Sequence, residues 1–196
     1  MKFLFDLGGV FFDWDPNHFF KDIFDKAEER EYFLTEVCND EWNIQQDAGR
    51  TIKEAEAVLI PKFPQYEKQI KMYYQNHRKM IRGTFNSSIK ALDKNKKKNY
   101  ECYVLSNWSA ETFVGMTDDY PFLQSFNGLL ISGEDNLMKP DAAIYELAIS
   151  RFNLIPQETV FIDDKLENIE AAKKLNLKTI HLVDPNIIEL EIDKFI

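Results

Sequence analysis

Hydrophobic positions along this chain follow two rhythms. Short, nearly unbroken apolar runs recur at five places: KFLFDL from Lys2, YECYVLSN from Tyr100, NGLLISG from Asn127, TVFIDD from Thr159 and KTIHLV from Lys178. They show little apolar–polar alternation, which is the pattern of strands covered on both faces of a parallel sheet. Between them the apolar residues take helical spacing. SAETFVGM opens on Ser109 as an N-cap, and DAAIYELAISRF from Asp141 puts Ile144, Leu147 and Ala148 on one face. KLENIEAAKKLN from Lys165 does the same with Leu166, Ile169, Ala172 and Leu175. Strands alternating with helices predict an α/β fold, a Rossmann-like doubly wound parallel sheet with right-handed crossovers.

From Pro16 to about Met80 the rhythm changes to aromatic and charged residues with helical signals. Thr51 to Glu54 reads as a capping box behind a turn at Gly49, and Pro61 and Pro64 end a helix. The predicted organisation is a core of residues 1–15 and 82–196, with a helical module of residues 16–81 inserted after the first strand.

Composition narrows the function. With 196 residues, 44% of them hydrophobic, the chain can bury a substantial core. A net charge of -9 argues against nucleic acid as a partner, because phosphate backbones select basic faces. The basic run Lys94 to Lys98 reads as a solvated helix end. Cys38 and Cys102, far apart, read as reduced thiols of a cytoplasmic protein. The apolar start is interrupted by Asp6, unlike a signal peptide, and no segment reaches the ~20 apolar residues of a membrane span. His18, His77 and His181 have no metal or catalytic spacing and read as structural.

The strand ends carry the chemistry. Asp6 before two glycines is either a turn residue or a reactive carboxylate beside bare backbone. The second run ends in Ser106 and Asn107 and the fourth in Asp163 and Asp164, while Lys139 lies just beyond the third. Ligands of open parallel sheets bind at the carboxyl ends of the strands, so these groups are expected at one rim.

FDLGGV, LSNW, MKPD and FIDDKLEN, in that order and across nearly the whole chain, resemble the four motifs of the haloacid dehalogenase superfamily. The helical insert is similar to that superfamily's helical cap, and the first motif to sugar-phosphate phosphatases resembling alpha-D-glucose-1-phosphate phosphatase. The resemblance implies a magnesium-dependent phosphatase acting on small phosphorylated metabolites, hexose phosphates among them. It casts Asp6 as the nucleophile that forms an aspartyl-phosphate, with Lys139 supplying positive charge to phosphate and to Asp6. Ser106 and Asn107 are expected to donate to the phosphate, and Asp6, Asp164 and the Gly8 carbonyl to hold Mg²⁺. Asp163 and Asn168 are expected to support that cluster.

One position departs from the family pattern. Most of its phosphatases carry an acid two residues after the nucleophile that protonates the leaving group; this chain has Gly8 there. Asp13, Asp15 and Asp47 are the candidate substitutes. Two alternatives stand beside the phosphatase: a metal-independent 2-haloacid dehalogenase using the same nucleophile, and a non-catalytic phosphate-binding relative.

Overall fold

The computed structural model describes residues 1–196. Five strands form one parallel sheet: β1 (Lys2–Phe5), β4 (Glu101–Ser106), β5 (Gly128–Ile131), β6 (Thr159–Asp163) and β7 (Lys178–His181). Their spatial order is β5-β4-β1-β6-β7. All five apolar runs are therefore strands. The chain winds outward through β4 and β5 on one side of β1, then through β6 and β7 on the other. The carboxyl end of β1 thus lies at the switch in strand order, where the flanking connections part and leave a crevice.

Both faces of this sheet are covered, which explains runs without alternation. Phe3 and Phe5 of β1 enter one apolar layer with Val104, Val160 and Ile162, backed by Leu92 of the helix Asn86–Lys97 and Ile192 of the helix Ile188–Asp193. Leu4 enters the opposite layer with Leu105 and Phe161, under Ile144 and Ala148 of the helix Ala142–Arg151 and Ile169 and Ala172 of the helix Leu166–Lys174. Leu166, expected on that inner face, is exposed instead; it is the first residue of the helix. Ser109 occupies the N-cap position of a helix of only four residues, Ala110–Phe113, but its side chain makes no capping bond. The run from Lys94 ends the helix Asn86–Lys97, where basic residues complement the dipole; Lys94 pairs with Glu189 and Asp193.

Residues 19–80 build a separate lobe around their own apolar cluster. Two short strands, β2 (Phe12–Trp14) and β3 (Ile81–Thr84), pair antiparallel and frame it. Inside, the helices Asp40–Asp47, Ile52–Leu59 and Glu67–Gln75 close on an apolar cluster of their own that includes Phe20, Phe33, Trp42, Ile70 and Tyr73. Thr51 and Glu54 form a reciprocal capping box, as their spacing predicts. Cys38 and Cys102 are free and buried, and burial pushes both thiols up, Cys102 to about 12. No helix is long and apolar enough to cross a membrane.

Candidate active site

Parallel pairing brings the strand ends together. Phe5 of β1 is level with Val104 of β4 and Ile162 of β6, so the next residues, Asp6 and Asp163, emerge side by side. Lys139 reaches in from the loop after β5, and its side chain is 1% exposed. Its ammonium group lies 2.7 Å from Asp163 Oδ2 and 3.0 Å from Asp6 Oδ1. Asp6, Asp163 and Asp164 each offer a carboxylate oxygen within 4.8 Å of the others. Three carboxylates then face one lysine, and the local excess is negative.

That excess appears in the protonation equilibria. Burial pushes the Asp6 carboxyl up, against the pull of Lys139. Burial and the charges of Asp6 and Asp163 push Asp164 up to about 6. For Lys139, burial acts to lower the pKa, but the Asp163 and Asp6 carboxylates overcome it and hold the ammonium above its ordinary value. A buried cation between two anions is stable only while both remain.

The structure gives several residues more specific tasks than their types imply. Ser106, expected to face a phosphate, is 1% exposed and donates to Asp6 Oδ1 at 2.6 Å. The Asn107 amide, given the same expected role, holds the Lys139 backbone from both sides: Nδ2 donates to the Lys139 carbonyl and Oδ1 accepts from its N–H, each at 2.9 Å. Ser106 lies beneath the cavity, whereas Asn107 lines it beside Lys139; hydroxyl and amide are both engaged because buried polar groups need partners. Asp163 is saturated. Its oxygens accept from Asn168 Nδ2 at 3.0 Å and from the Lys165 N–H at 2.8 Å, besides Lys139, so it anchors the lysine and leaves Asp164 facing Asp6.

The two glycines after Asp6 serve different ends. Gly9 has φ +66°, and a Cβ there would lie 2.4 Å from Asp164 Oδ2, so Gly9 is the floor on which Asp164 rests. A Cβ on Gly8 would meet nothing within 4 Å. Gly8 forms an isolated bridge with Phe12, whose two hydrogen bonds run from Gly9 N–H to the Phe12 carbonyl and from Phe12 N–H to the Leu7 carbonyl. The N–H and carbonyl of Gly8 itself take no part in that bridge.

A cavity of about 500 Å³ opens above these groups. Asp6, Gly8, Gly9, Lys139 and Asp164 form its floor; the rest of its lining, the wall, includes Phe12, Trp14, Trp108 and, from the lobe, Ile44, Asp47, Tyr74 and His77. Of the candidate acids, Asp15 is a turn residue whose Oδ1 accepts from the Asn17 N–H at 2.7 Å. Asp13 lines the cavity but pairs with His18 at 3.0 Å and Arg82 at 2.6 Å; these partners outweigh burial and hold its carboxyl below the ordinary value. Asp47 lines the cavity too, and burial with the charge of Asp6 pushes it up to about 7. His77, read from sequence as structural, also lines the cavity; burial and the neighbouring Arg78 lower it to about 4, leaving the ring neutral. Its only sequence signal was its place in an aromatic-rich stretch. His181 Nε2 lies 2.9 Å from the Asp164 carbonyl, an unforeseen contact across β6 and β7.

Residues 3–182 match the haloacid dehalogenase-like hydrolase family. The chain belongs to that family. As a haloacid dehalogenase-like hydrolase, it is 24% identical over 183 residues to the sesquiterpene phosphatase astK of Aspergillus oryzae, covering 92% of this chain and 89% of that protein. It is 25% identical to a family enzyme of Bacteroides thetaiotaomicron, with a TM-score of 0.70 and 91% of both chains covered. A variant of that enzyme complexed with magnesium and inorganic phosphate has 24% identity, a TM-score of 0.71 and 92% of both chains covered. The L-2-haloacid dehalogenase of Xanthobacter autotrophicus shares the fold at 14% identity, with a TM-score of 0.63 over 91% of this chain and 75% of that one.

Proposed function

We propose that this hydrolase is a magnesium-dependent phosphatase of small phosphorylated metabolites, working through an aspartyl-phosphate on Asp6. The observation that carries the reading is the convergence of Asp6, Asp164 and Lys139 at one rim with an unbalanced negative charge. The donor set fits the ion: Asp6, Asp164 and the Gly8 carbonyl are hard oxygen ligands, and Mg²⁺ held there would shield the Asp6 carboxylate from an anionic substrate.

The chain's own groups do the rest. Ser106 and Lys139 both bind Oδ1 of Asp6, which fixes the carboxylate's rotation before phosphate arrives. Asp6 attacks phosphorus and dismisses the leaving group, dividing one hard displacement into two easier ones. Lys139 has three ammonium protons; Asp163 and Asp6 take two, and the third is free to meet a phosphate oxygen. Asn107 and Asn168 act through Lys139 and Asp163, as positioning residues. The lobe covers the cavity and excludes water from the reaction.

A dehalogenase fits less well, because an anionic 2-haloacid would be repelled by the second carboxylate facing Asp6, and displacement of halide from carbon needs no metal to offset that charge. The substrate class follows from the wall. An aromatic surface over a phosphate site suits a hexose phosphate, the reading that Gly8 supports through likeness to glucose-1-phosphate phosphatases. The same apolar wall and the Aspergillus relative support a second reading, a terpenoid phosphate. Phosphate release with and without Mg²⁺ from p-nitrophenyl phosphate, hexose phosphates and prenyl phosphates tests this directly. Metal-dependent release is expected. Chloride release from 2-chloropropionate without metal would overturn the reading.

A further inference from the structure

Gly8 leaves this site without a side chain to protonate the leaving group, yet the space above it is open. The lobe brings another acid into the same cavity. Asp47 ends the helix Asp40–Asp47, and its carboxyl shares the cavity with Asp6, Gly8 and Lys139. A helix C-terminus disfavours negative charge, so the position itself favours the acid form.

The segment carrying Asp47 is fastened to the core at independent points. Gly49, at φ +101°, lies so close to Asn136 that a Cβ would fall 1.8 Å from its Oδ1. The Ile52 N–H donates to Glu111 Oε1 at 2.7 Å. Ser109, two residues before Glu111, lines the cavity together with Asp47. The segment that follows Asp47 is thus held against two separate parts of the core, at Asn136 and at Glu111.

We propose that Asp47 is the general acid and base of the reaction, a catalytic role delivered from the lobe in place of the position that Gly8 leaves bare; this rests on the phosphatase reading above. As the bond from Asp6 to phosphorus forms and the bond to the leaving oxygen breaks, Asp47 gives its proton to that oxygen and becomes a carboxylate. In the second step it takes a proton from the water that attacks the aspartyl-phosphate. Asp6 leaves as a carboxylate, inorganic phosphate is released, and Asp47 is again an acid.

The charged groups facing it agree with this cycle. Burial and Asp6 favour the acid form, while Lys165, Lys139 and the Ser109 N–H stabilise the carboxylate that follows, placing the group near 7. Asp13, Asp40 and Glu167 also line the cavity, and Asp13 is held ionised by His18 and Arg82. Asp13 and Asp15 thereby drop out as proton donors.

The test uses Mg²⁺-loaded wild type and Asp47→Asn with aryl phosphates of one shape and graded leaving-group basicity. In wild type, kcat/KM should vary little along the series and fall on the alkaline side as Asp47 loses its proton. In Asp47→Asn the most basic leaving groups should lose ~10²–10⁴-fold and p-nitrophenyl phosphate less than ~10-fold, with the high-pH fall abolished. Because the second step also loses its base, p-nitrophenol should appear in a burst of about one equivalent per enzyme. The burst also counts folded sites, so misfolding cannot imitate the result. Adding Gly8→Asp to Asp47→Asn should recover most of the loss. Active wild type with an unchanged series, pH profile and progress curve in Asp47→Asn would overturn the assignment and leave the phosphatase reading intact. A wild type inactive on every ester would overturn both.

Discussion

The floor and the wall of the cavity are built on opposite plans. On the floor, the charged and polar groups hold one another: Ser106 and Lys139 on Asp6, Asn168 and the Lys165 N–H on Asp163, Asn107 on the Lys139 peptide. On the wall, Trp14 Nε1, His77 Nδ1 and Trp108 Nε1 are buried without a hydrogen-bond partner, and the three rings lie in a row, centroids 5.9 and 5.6 Å apart. The floor fixes charges in place for a reaction that is the same for every phosphate ester. The wall offers ring faces, which accept many shapes without demanding one hydrogen-bond pattern. On the phosphatase reading proposed above, chemistry and selectivity would thereby fall to different parts of the cavity.

Breaking the floor should cost most. Asp6→Asn keeps an oxygen for Ser106 but removes the attacking carboxylate, and turnover of p-nitrophenyl phosphate with Mg²⁺ should fall by about 10⁴-fold or more. Retained turnover would separate the floor from the chemistry altogether.

Lys139→Met leaves Asp6 and Asp163 buried and facing each other. Urea unfolding at pH 7 should report a loss of about 3–5 kcal/mol, the usual consequence of removing one partner from a buried charge set. A loss below about 1 kcal/mol would mean that the floor tolerates its own repulsion.

Asp47 sharpens the contrast through pH. Its carboxyl is raised from the model-peptide value of 3.8 to about 7, so the folded state holds a proton that the unfolded chain releases earlier. The wild type therefore loses stability as pH rises through that window, by up to about 1.4 kcal/mol per unit. In metal-free buffer Asp47→Asn should match wild type near pH 4 and exceed it progressively up to about pH 7, by thermal melting. Parallel curves would show Asp47 to be solvated like any surface acid.

The smallest comparison sits within two adjacent residues. Gly9→Ala places a Cβ against Asp164 at a left-handed φ and should cost about 1–3 kcal/mol, whereas Gly8→Ala points into open space and should change stability by less than about 0.5 kcal/mol. Chemical denaturation of the two variants side by side checks this.

Much of the floor was legible in the sequence because it is written locally. An apolar run that stops at Asp6 or at Asp163 and Asp164 marks a strand and the group at its end in one stretch of residues. The ribbon of β2 and β3 was not legible, since three or four residues carry no pairing signal and the partner lies on the far side of the lobe. Nor was the exposure of Leu166, whose helical spacing is as good as that of its buried neighbours. Asp13, Asp15 and Asp47 were indistinguishable as residue types; only their partners, Arg82 and His18, the Asn17 N–H, and the cavity with Asp6, tell them apart.

By itself, then, the sequence determined the five strands of the parallel sheet, the helices between them and the identity of the acids at the strand ends, because backbone preference and burial periodicity act over a few residues. The tertiary structure decided which partners those groups meet: that Ser106 donates to Asp6, that Asn107 holds the Lys139 backbone, and that Asp47 shares a cavity with Asp6. Hydrogen bonding, desolvation and charge depend on which atoms meet across the fold, and that is a property of distances the linear chain does not carry.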